Sequence, residues 1–506
     1  MTNVKPKVAL LLEGTYPYVS GGVSSWVHDL IGGLEEVPFS LFHIAARDGV
    51  ALDGRYKLPG NVTGITNVFC AGGTSAALDA GGRERLQAEI RSIRKAAKQS
   101  GGPSRLIAGL RQLHLGGTVD REMIENIASA DRDLMALLHG REAFELVCEL
   151  ADTMAPDAPF LDFFWHFRAM HLPVLRLLHG PRPDGDVLHA LSTGYAGLVG
   201  AVASVRSGRP LLLTEHGIYA RERDMELARA TWLQDTSSGA KPEGIEQIRL
   251  FWSRFFTRLS QIAYTQASTI VTLSEVNRRK QLTDCAPAPK IRIVPNGVDL
   301  DAITPQAIVA NDAPGRPLRV GFVGRVVPIK DVLTLIRACH IALQSVALDV
   351  ELIGPDAEDP SYSNRCRALV AQIGRQSEIR FVGPRPAREI YANLDVVVLT
   401  SHSEGQPLVI LEAYAANVPV IATDVGACRE MIEGRTEIDR QLGPSGIVTH
   451  IATPTETAAA LVKLARDPAL RRKMGAAGRL RAGSFYRRDH LIDAYRGMYS
   501  TMAESP

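Results

Sequence analysis

The sequence has few cysteines, almost no net charge and no long uninterrupted apolar run. Its six cysteines are scattered along 506 residues without a Cys-x-x-Cys pair, which argues against a disulfide framework or a zinc site and favours a reducing cytosol. Lys and Arg number 57 and Asp and Glu number 55, so a net charge of +2 gives no support to a nucleic-acid partner. An anionic ligand must therefore be held by a few well-placed cations.

One stretch, residues 187–205, carries no Asp, Glu, Lys or Arg for nineteen positions. Ser, Thr, Gly and His dilute its hydrophobicity, and its length is marginal for about 30 Å of hydrocarbon. We expect a short buried strand followed by a small-residue helix packed on a sheet. The apolar run at residues 8–12 is too short for the core of a signal peptide. We therefore predict a cytoplasmic protein, with peripheral binding at the inner face of the cytoplasmic membrane as a second option.

Strand-like apolar runs recur along the chain, and many are followed by a Gly-containing turn and a helix-like pattern. Uninterrupted apolar strands that alternate with helices are typical of parallel sheets buried on both faces. The predicted strands are residues 8–12, 211–214, 269–273, 291–294, 319–323, 349–353, 379–382, 396–399 and 418–422. The pattern predicts an α/β fold with two Rossmann-like, doubly wound domains.

The sequence loses its periodicity around residues 301–317, where three prolines precede a fresh strand. We predict an N-terminal domain over 1–305, a C-terminal domain over 315–485, and a helix over 486–506 that crosses back to the N-terminal domain. Residues 75–180 are predicted to form a helical insertion in the first domain. Its aromatic segment at 160–179 is either a helix that packs the insertion or a contact surface for an acceptor, a partner subunit or the membrane interface.

The segment Ser401–Glu430 follows an apolar strand, so it begins as a strand-to-helix loop at the carboxyl edge of a parallel sheet, where ligands bind. Pro407 suits the first helical turn, and the free N–H groups of a helix start suit phosphate. If the whole stretch were helical, Glu404 and Glu412 would lie about 12 Å apart, which matches the span from sugar to ribose in a nucleotide sugar. Because a carboxylate accepts two hydroxyl groups, we predict Glu404 at the sugar and Glu412 at the ribose.

A second segment, Val320–Asp331, places Arg325 and Lys330 on the loop between a strand and a helix. Two cations five residues apart on such a loop can close on a diphosphate from one side. They would stabilise the negative charge that a departing nucleoside diphosphate gains. The alternative is an ordinary pair of surface cations.

Two weaker signals lie in the first half of the chain. Gly21 and Gly22 precede a helix, where the backbone can approach a ligand closely, although a simple tight turn explains them equally well. His216 follows a buried strand at a loop edge, where catalytic residues are placed, although a lone histidine is more often structural. Glycines 194, 197 and 200 fail the dinucleotide pattern and are expected to serve helix packing.

Together, four features resemble the retaining glycosyltransferases of the GT4 family, which have the two-lobed GT-B fold. They are the Gly-Arg-x4-Lys at Gly324–Lys330, the Glu-x7-Glu at Glu404–Glu412, the PNGVD turn at Pro295–Asp299 and the early Gly-Gly loop. Within that family, the strings LLEGTYPYVSGGVSSWVHDL, TEHGIY, SEGQPLVILEA and TDVGACRE are similar to PelF-type enzymes of Pel exopolysaccharide synthesis. The chain length and an insertion after the first βα unit also fit that group.

The resemblance implies transfer of a sugar from a UDP-sugar, of the UDP-glucose or UDP-N-acetylhexosamine type, onto a growing exopolysaccharide such as Pel. It implies retention at the anomeric carbon and a reaction without a metal or other cofactor. It also implies a polysaccharide or oligosaccharide acceptor and membrane-bound Pel synthase components as partners.

The resemblance also assigns roles to individual residues. Arg325 and Lys330 would bind the diphosphate, Glu412 the ribose and Glu404 the donor sugar. The other implied site residues are Gly22 near the phosphates, His216 at the reaction centre, Val382 in a uracil-reading loop at 380–383, and Gly405, Gln406, Pro407 and Leu408 around the donor. Gln406 and Gly426–Ala427 depart from the family's usual residues, which leaves the donor sugar open.

Two other classes of function remain as alternatives. A UDP-sugar 2-epimerase of the same fold would interconvert donors without an acceptor. A non-catalytic scaffold subunit of a polysaccharide synthase would keep the fold, although it has no need of both cations and both glutamates. An oxidoreductase is disfavoured because no dinucleotide fingerprint follows a strand.

Overall fold

The computed structural model describes residues 5–47, 52–71, 105–129, 140–233, 241–303 and 316–504. Most of the predicted linker at 301–317 and part of the predicted insertion at 75–180 lie outside these residues. The chain divides into two compact units. Unit 1 consists of Met1–Thr272, Lys280–Arg292 and Arg496–Pro506, and unit 2 of Leu273–Arg279 and Ile293–Tyr495.

Unit 1 is built on a sheet that has seven strands within the described ranges, in the order β3-β2-β1-β4-β5-β6-β7. The strands are β1 Val8–Glu13, β2 Phe39–Arg47, β3 Val62–Ala71, β4 Val187–Ala190, β5 Leu211–Glu215, β6 Thr269–Thr272 and β7 Ile291–Ile293. From β3 to β6 all neighbours pair in parallel. β1, β4 and β5 are buried over almost their whole length, as continuous apolar runs require.

Helices cover this sheet and build the insertion. They are α1 Gly22–Gly33, α2 Arg105–Leu115, α3 Arg121–Ala128, α4 Arg141–Met154, α5 Phe160–His179, α6 Tyr195–Ser207, α7 Tyr219–Leu227, α8 Pro242–Gln266 and α9 Glu275–Thr283. The first residues of α9, up to Arg279, belong to unit 2. In α6, a Cβ added at Gly200 would lie 2.9 Å from Leu211 Cδ1, so this glycine lets the helix pack closely on β5. The strand and small-residue helix expected over 187–205 are therefore confirmed. No helix in the described ranges is long and apolar enough to cross a membrane.

Unit 2 repeats the plan with a sheet of six strands among its described residues, in the order β10-β9-β8-β11-β12-β13, and every neighbouring pair is parallel. The strands are β8 Leu318–Val323, β9 Leu348–Ile353, β10 Ile379–Gly383, β11 Val396–Leu399, β12 Val420–Thr423 and β13 Gly446–Thr449. The helices are α10 Val332–Ala342, α11 Pro360–Gln372, α12 Ala387–Ile390, α13 Leu408–Ala415, α14 Cys428–Glu433, α15 Glu437–Arg440, α16 Pro454–Arg466, α17 Pro468–Phe485 and α18 Arg488–Glu504. From Arg496 onward, α18 belongs to unit 1. The predicted fold class, two doubly wound α/β domains, is confirmed.

The sequence pattern missed two strands of unit 1, both of which end before the range 75–180 that was predicted for the insertion. Two further strands, β2 and β3, follow the first βα unit before the helical region begins. β2 has an interrupted apolar pattern with Ser40 and His43, and β3 contains Thr, Gly and Asn, so neither shows the continuous run that marked the other strands. The described part of the insertion, from α2 to α5, is helical as predicted.

The aromatic segment of the insertion forms the helix α5 and packs mainly inward. Phe163, Phe167 and Met170 lie in the apolar core of unit 1. Only the start of the helix presents apolar side chains to solvent, with Phe160 and Leu161 exposed. A helix that packs the insertion therefore accounts for most of the segment.

A buried arginine fixes the end of unit 2. The Arg481 side chain is fully buried, and its guanidinium donates to Asp439 Oδ1 at 2.5 Å, to the carbonyls of Ile432, Asp439 and Gly443, and to Ser445 Oγ. Asp439 Oδ2 in turn accepts the backbone N–H of Arg435 at 2.8 Å. All five N–H donors of the guanidinium are thus used, which is the condition under which a buried charge is tolerated.

We predict that Arg481→Met destabilises the protein by about 3–5 kcal/mol, because it leaves the Asp439 carboxylate buried without its cation. The midpoint of thermal unfolding should fall clearly. The exposed Arg466→Met is the matched control and should change stability by about 0.5 kcal/mol or less. An unchanged midpoint for Arg481→Met would contradict this account.

Candidate functional site

The sheet of unit 2 has a topological switch between β8 and β11, where the strand order reverses direction. Ligands of doubly wound sheets bind outside the carboxyl ends of the strands at such a point. Two loops meet there, one after β8 at 324–331 and one after β11 at 400–407. They contain most of the residues predicted for the donor site.

The loop after β8 starts at Gly324 and ends in a short 3-10 turn at Pro328–Lys330. Gly324 has a φ of +156°. Its carbonyl oxygen packs against Gly354, and a Cβ added to Gly354 would lie only 2.1 Å from that oxygen. Asp331 then takes the left-handed conformation and caps α10 by accepting the N–H of Thr334. The turn fixes where the Lys330 side chain begins.

Lys330 and Glu404, 74 positions apart in sequence, form a charged contact that joins the two loops of this edge. Lys330 Nζ lies 2.6 Å from Glu404 Oε1, and the side chains are only 24% and 10% exposed. Ser401 Oγ donates to the same oxygen at 2.6 Å. Partial burial strengthens a charged hydrogen bond, so the pair holds both side chains in place.

Arg325 is placed differently from Lys330. It lies on the same loop, but its guanidinium pairs with Glu358 at 2.5 Å, and both side chains are about half exposed, at 48% and 50%. An ion pair in that setting stabilises a structure by only about 0–1 kcal/mol. Arg325 can therefore exchange Glu358 for a stronger anion at small cost.

The helix geometry predicted for the Glu404–Glu412 segment was wrong. α13 begins at Leu408, Pro407 is its cap rather than its first residue, and Glu404 lies in the loop before it. The estimate of about 12 Å assumed helix throughout, so it does not apply. Glu412 lies in the second turn of α13, and its Oε2 accepts a hydrogen bond from the Tyr391 hydroxyl.

Gln406 is held by the PNGVD turn. The backbone N–H of Asn296 donates to Gln406 Oε1 at 2.6 Å, and Asn296 Nδ2 donates to the Gln406 carbonyl at 3.1 Å. Both residues are buried. One departure from the family pattern is thus explained by packing, because this side chain ties the loop after β11 to the PNGVD turn.

Gly426 supports the same loop from the end of β12. Its φ is +51°, and a Cβ there would lie 2.0 Å from the carbonyl oxygen of Glu404. The next residue, Ala427, donates its N–H to the Gly405 carbonyl at 2.9 Å. A side chain at position 426 would therefore displace the backbone that carries Glu404.

Val382 lies in the strand predicted at 379–382 and not in the loop at 380–383 that the family resemblance implied. It belongs to β10, whose pairing with β9 is irregular between Phe381 and Gly383. Gly383 has a φ of +74° and ends the strand at the carboxyl edge of the sheet. Its carbonyl accepts the N–H of Gly354 at 3.0 Å.

Gly22 and His216 lie in unit 1. Gly22 is the first residue of α1, and a Cβ there would meet no described atom within 4 Å, so the chain's own packing does not require glycine. His216 follows β5 and packs edge-on against Trp26 at 4.6 Å between ring centroids. Burial lowers the pKa of His216 to about 4, so its ring is neutral at pH 7.

The residue before His216 is a fully buried carboxylate. Glu215 accepts hydrogen bonds from the Tyr219 N–H, the Tyr264 hydroxyl, Gln281 Nε2 and the Thr193 hydroxyl, at distances from 2.6 to 3.0 Å. Burial raises its pKa in spite of these four donors. This network fixes the end of β5 and hence the backbone position of His216.

Glu430 links α14 to the start of α9. Its Oε1 accepts the backbone N–H of Glu275 at 3.2 Å, and burial raises its pKa from 4.5 to about 7. Among the described residues no group of three or more His, Cys, Asp or Glu side chains is arranged to hold a metal ion.

Sequence patterns did not single out three residues of this edge. Ser401 could have been found from its Ser-x-x-Glu spacing with Glu404, a pattern known from helix starts. Asn296 was noted only as part of a turn. Tyr391 has no local signal, because its partner Glu412 is 21 positions away on the far side of β11.

Comparisons with known proteins agree with this architecture. Residues 317–467 match the family model described as Glycosyl transferases group 1, and residues 6–289 match the one described as Domain of unknown function (DUF3492). HepE of Anabaena, solved with UDP and glucose, matches 98% of this chain and all of its own at a TM-score of 0.57 and 15% identity. Sucrose-phosphate synthase of Thermosynechococcus elongatus matches 99% of this chain and all of its own at a TM-score of 0.58 and 17% identity.

Relatives with assigned activities align over smaller parts. The D-inositol 3-phosphate glycosyltransferase of Corynebacterium jeikeium is 33% identical over 208 residues, which are 38% of this chain and 46% of the relative. The MMP alpha-(1->4)-mannosyltransferase of Mycolicibacterium hassiacum is 28% identical over 325 residues, which are 62% of this chain and 70% of the relative. The chain thus spans less than half of the first relative and about two thirds of the second.

The two doubly wound sheets are the GT-B fold, and residues 317–467 of unit 2 are similar to glycosyltransferases of group 1. The family model that matches residues 6–289 covers more than half of the chain and therefore defines the family of the protein. The chain belongs to the family described as Domain of unknown function (DUF3492).

We predict that Glu430→Gln stabilises the protein above pH 7 and not below pH 4.5. Between these values the folded protein keeps a proton on Glu430 that the unfolded chain releases, so the free energy of unfolding falls as pH rises. Glutamine does not titrate, so the variant avoids this loss of stability. The loss amounts to about 1 kcal/mol, because the partial exposure of Glu430 to solvent reduces the effect of burial. The measurement is the difference in thermal midpoint between variant and wild type from pH 4 to pH 8.

The control is Glu433→Gln on the same helix, whose carboxylate is exposed and pairs with Arg429. Its difference from wild type should not rise across this pH window. A flat difference for Glu430→Gln would show that burial does not perturb this carboxyl group.

Proposed function

We propose that the protein is a retaining glycosyltransferase of GT4 type that uses a UDP-sugar, of the UDP-glucose or UDP-N-acetylhexosamine type. The acceptor in this proposal is a growing exopolysaccharide such as Pel, as in the PelF-type enzymes that the sequence resembles. The observation that carries the proposal is the Lys330–Glu404–Ser401 cluster at the topological switch of a group 1 glycosyltransferase domain. Structures of HepE with UDP and with UDP-glucose support the choice of donor.

The cluster suits a donor with one end charged and the other rich in hydroxyl groups. Lys330 and Arg325 lie on one loop and supply positive charge for the diphosphate. The Glu404 carboxylate is fixed by Lys330 and Ser401 through Oε1, and a carboxylate oxygen pair can accept further hydrogen bonds from sugar hydroxyls. Glu412, four residues into α13, is assigned to the ribose.

The proposed reaction takes place on one face of the sugar. The bond between the anomeric carbon and the diphosphate oxygen breaks, and the acceptor oxygen forms a new bond on the same side. The acceptor's proton passes to the departing phosphate oxygen, whose growing charge Lys330 and Arg325 stabilise. This scheme uses neither a metal ion nor a covalent enzyme intermediate, and Glu404 serves the sugar hydroxyls.

The wider assignments are also part of the proposal. A membrane-bound synthase would receive the product, and the protein would work at the cytoplasmic face of the membrane. The roles given to Gly22 near the phosphates, to His216 at the reaction centre and to Val382 at the base rest on the family resemblance.

Calorimetry of the purified protein against UDP, UDP-sugars and NAD, without added metal, tests the donor. We expect UDP to bind to the wild-type protein. Lys330→Ala and Arg325→Ala should each lower the affinity for UDP by about tenfold or more, because each removes a charge-assisted hydrogen bond to the diphosphate. Lys463→Ala, an exposed lysine in α16, is the control and should bind UDP like wild type. Binding of NAD alone would refute the proposal, and an epimerised UDP-sugar without UDP release would select a 2-epimerase.

Turnover tests the role of Glu404. We predict that Glu404→Gln binds the donor with near-normal affinity but loses turnover by about 100-fold, because the neutral amide no longer holds charged hydrogen bonds to Lys330 and the sugar. UDP release measured with donor and acceptor reports the rate. Glu433→Gln controls for loss of a surface carboxylate. Wild-type turnover in Glu404→Gln would contradict the role, and a sugar trapped covalently on a side chain would end the same-face scheme.

A further inference from the structure

Tyr391 lies in a short 3-10 turn just before β11 and is fully buried. It packs in the same apolar cluster as Leu411 and Ala415 of α13. Its hydroxyl donates to Oε2 of Glu412, a residue whose side chain is partly exposed. A buried aromatic ring is therefore anchored in the core at one end and hydrogen-bonded at the other to the carboxylate of a residue that is only partly buried.

A second buried tyrosine of unit 2 shows what a purely structural hydroxyl does. Tyr414, also on α13 and fully buried, donates to the carbonyl of Met431 at 3.1 Å and accepts from Ser445 Oγ. Both of its partners are buried, so this hydroxyl only satisfies the core. Tyr391 instead donates its hydrogen bond to the carboxylate of a partly buried residue, which was predicted for the donor site.

The contact restricts the carboxylate in a way that water does not. Rotation of a glutamate side chain about its last bond is broad and costs little. A donor fixed by a packed ring selects one orientation of the carboxylate plane. Burial and the charge of Glu412 raise the pKa of Tyr391 well above its ordinary value of 10, so the hydroxyl stays protonated and can donate at any physiological pH.

We infer that Tyr391 is a positioning residue that orients the Glu412 carboxylate toward the ribose diol and so sets the preference for ribonucleotide over 2′-deoxyribonucleotide donors. The inference rests on the proposed function, because it takes the ribose to be the ligand of Glu412. Tyr391 itself does not touch the nucleotide. A fixed carboxylate loses less conformational entropy when the diol binds. A 2′-deoxy sugar lacks one of the two hydroxyl groups of the diol, so it gains less from this orientation.

The test is the ratio of UDP affinity to 2′-deoxy-UDP affinity, measured by calorimetry. We expect wild type to prefer UDP by about tenfold, the value of one good hydrogen bond to a charged group. Tyr391→Phe should bind 2′-deoxy-UDP like wild type and should bind UDP about fivefold more weakly, so that the ratio falls to about two. Tyr414→Phe removes a buried hydroxyl from the same unit and should keep the wild-type ratio.

Each other outcome decides against the inference. If Tyr391→Phe keeps the wild-type ratio, or lowers the affinity for both nucleotides equally, Tyr391 has only a packing role. If Tyr391→Phe does not fold, Glu412→Gln and wild type are compared instead, and an unchanged ratio in Glu412→Gln overturns the inference. Failure of wild type to bind UDP refutes the proposed function itself, whereas normal UDP binding with an unchanged ratio refutes the role of Tyr391 alone.

Discussion

The contact between Lys330 and Glu404 depends on the order of strands in the sheet of unit 2. The two residues are 74 positions apart, and they meet because β8 and β11 are neighbours whose carboxyl ends share one edge. The reversal of strand order at this point leaves room above the edge, since the following helices lie on opposite faces of the sheet. A short loop after each strand then suffices to bring a cation and a carboxylate within 2.6 Å.

The backbone of the second loop is held by contacts that have no part in chemistry. Asn296 binds Gln406 through both backbone and side chain, Gly426 leaves space for the Glu404 carbonyl, and Thr423 Oγ1 donates to the Ser401 carbonyl at 2.7 Å. A loop fixed at three points loses little further freedom when a ligand binds. The burial of Gln406 and Asn296 therefore serves the position of Glu404.

Much of this edge could be predicted from the sequence because continuous apolar strands and the residues that follow them are local signals. Lys330 and Glu404 were placed on the correct loops for that reason. The helix assumed between Glu404 and Glu412 was wrong because a proline after Gly-Gln starts a helix rather than continuing one, so α13 begins only at Leu408. The contacts of Gln406 and Tyr391 were beyond prediction, since their partners Asn296 and Glu412 come from other elements and no spacing rule connects them.

The two cations of the loop after β8 are held with different strength, and this difference gives them different tasks. Lys330 is largely buried against Glu404 and Ser401, so moving it would leave a carboxylate in a poorly solvated place without its cation. Arg325 is half exposed, and solvent screens its pair with Glu358, so releasing that pair costs little. A diphosphate arriving at this edge would therefore find Lys330 already in place and would draw Arg325 away from Glu358. Under the proposed function, Lys330 would keep Glu404 aligned through the reaction, and Arg325 would be the cation that follows the leaving group.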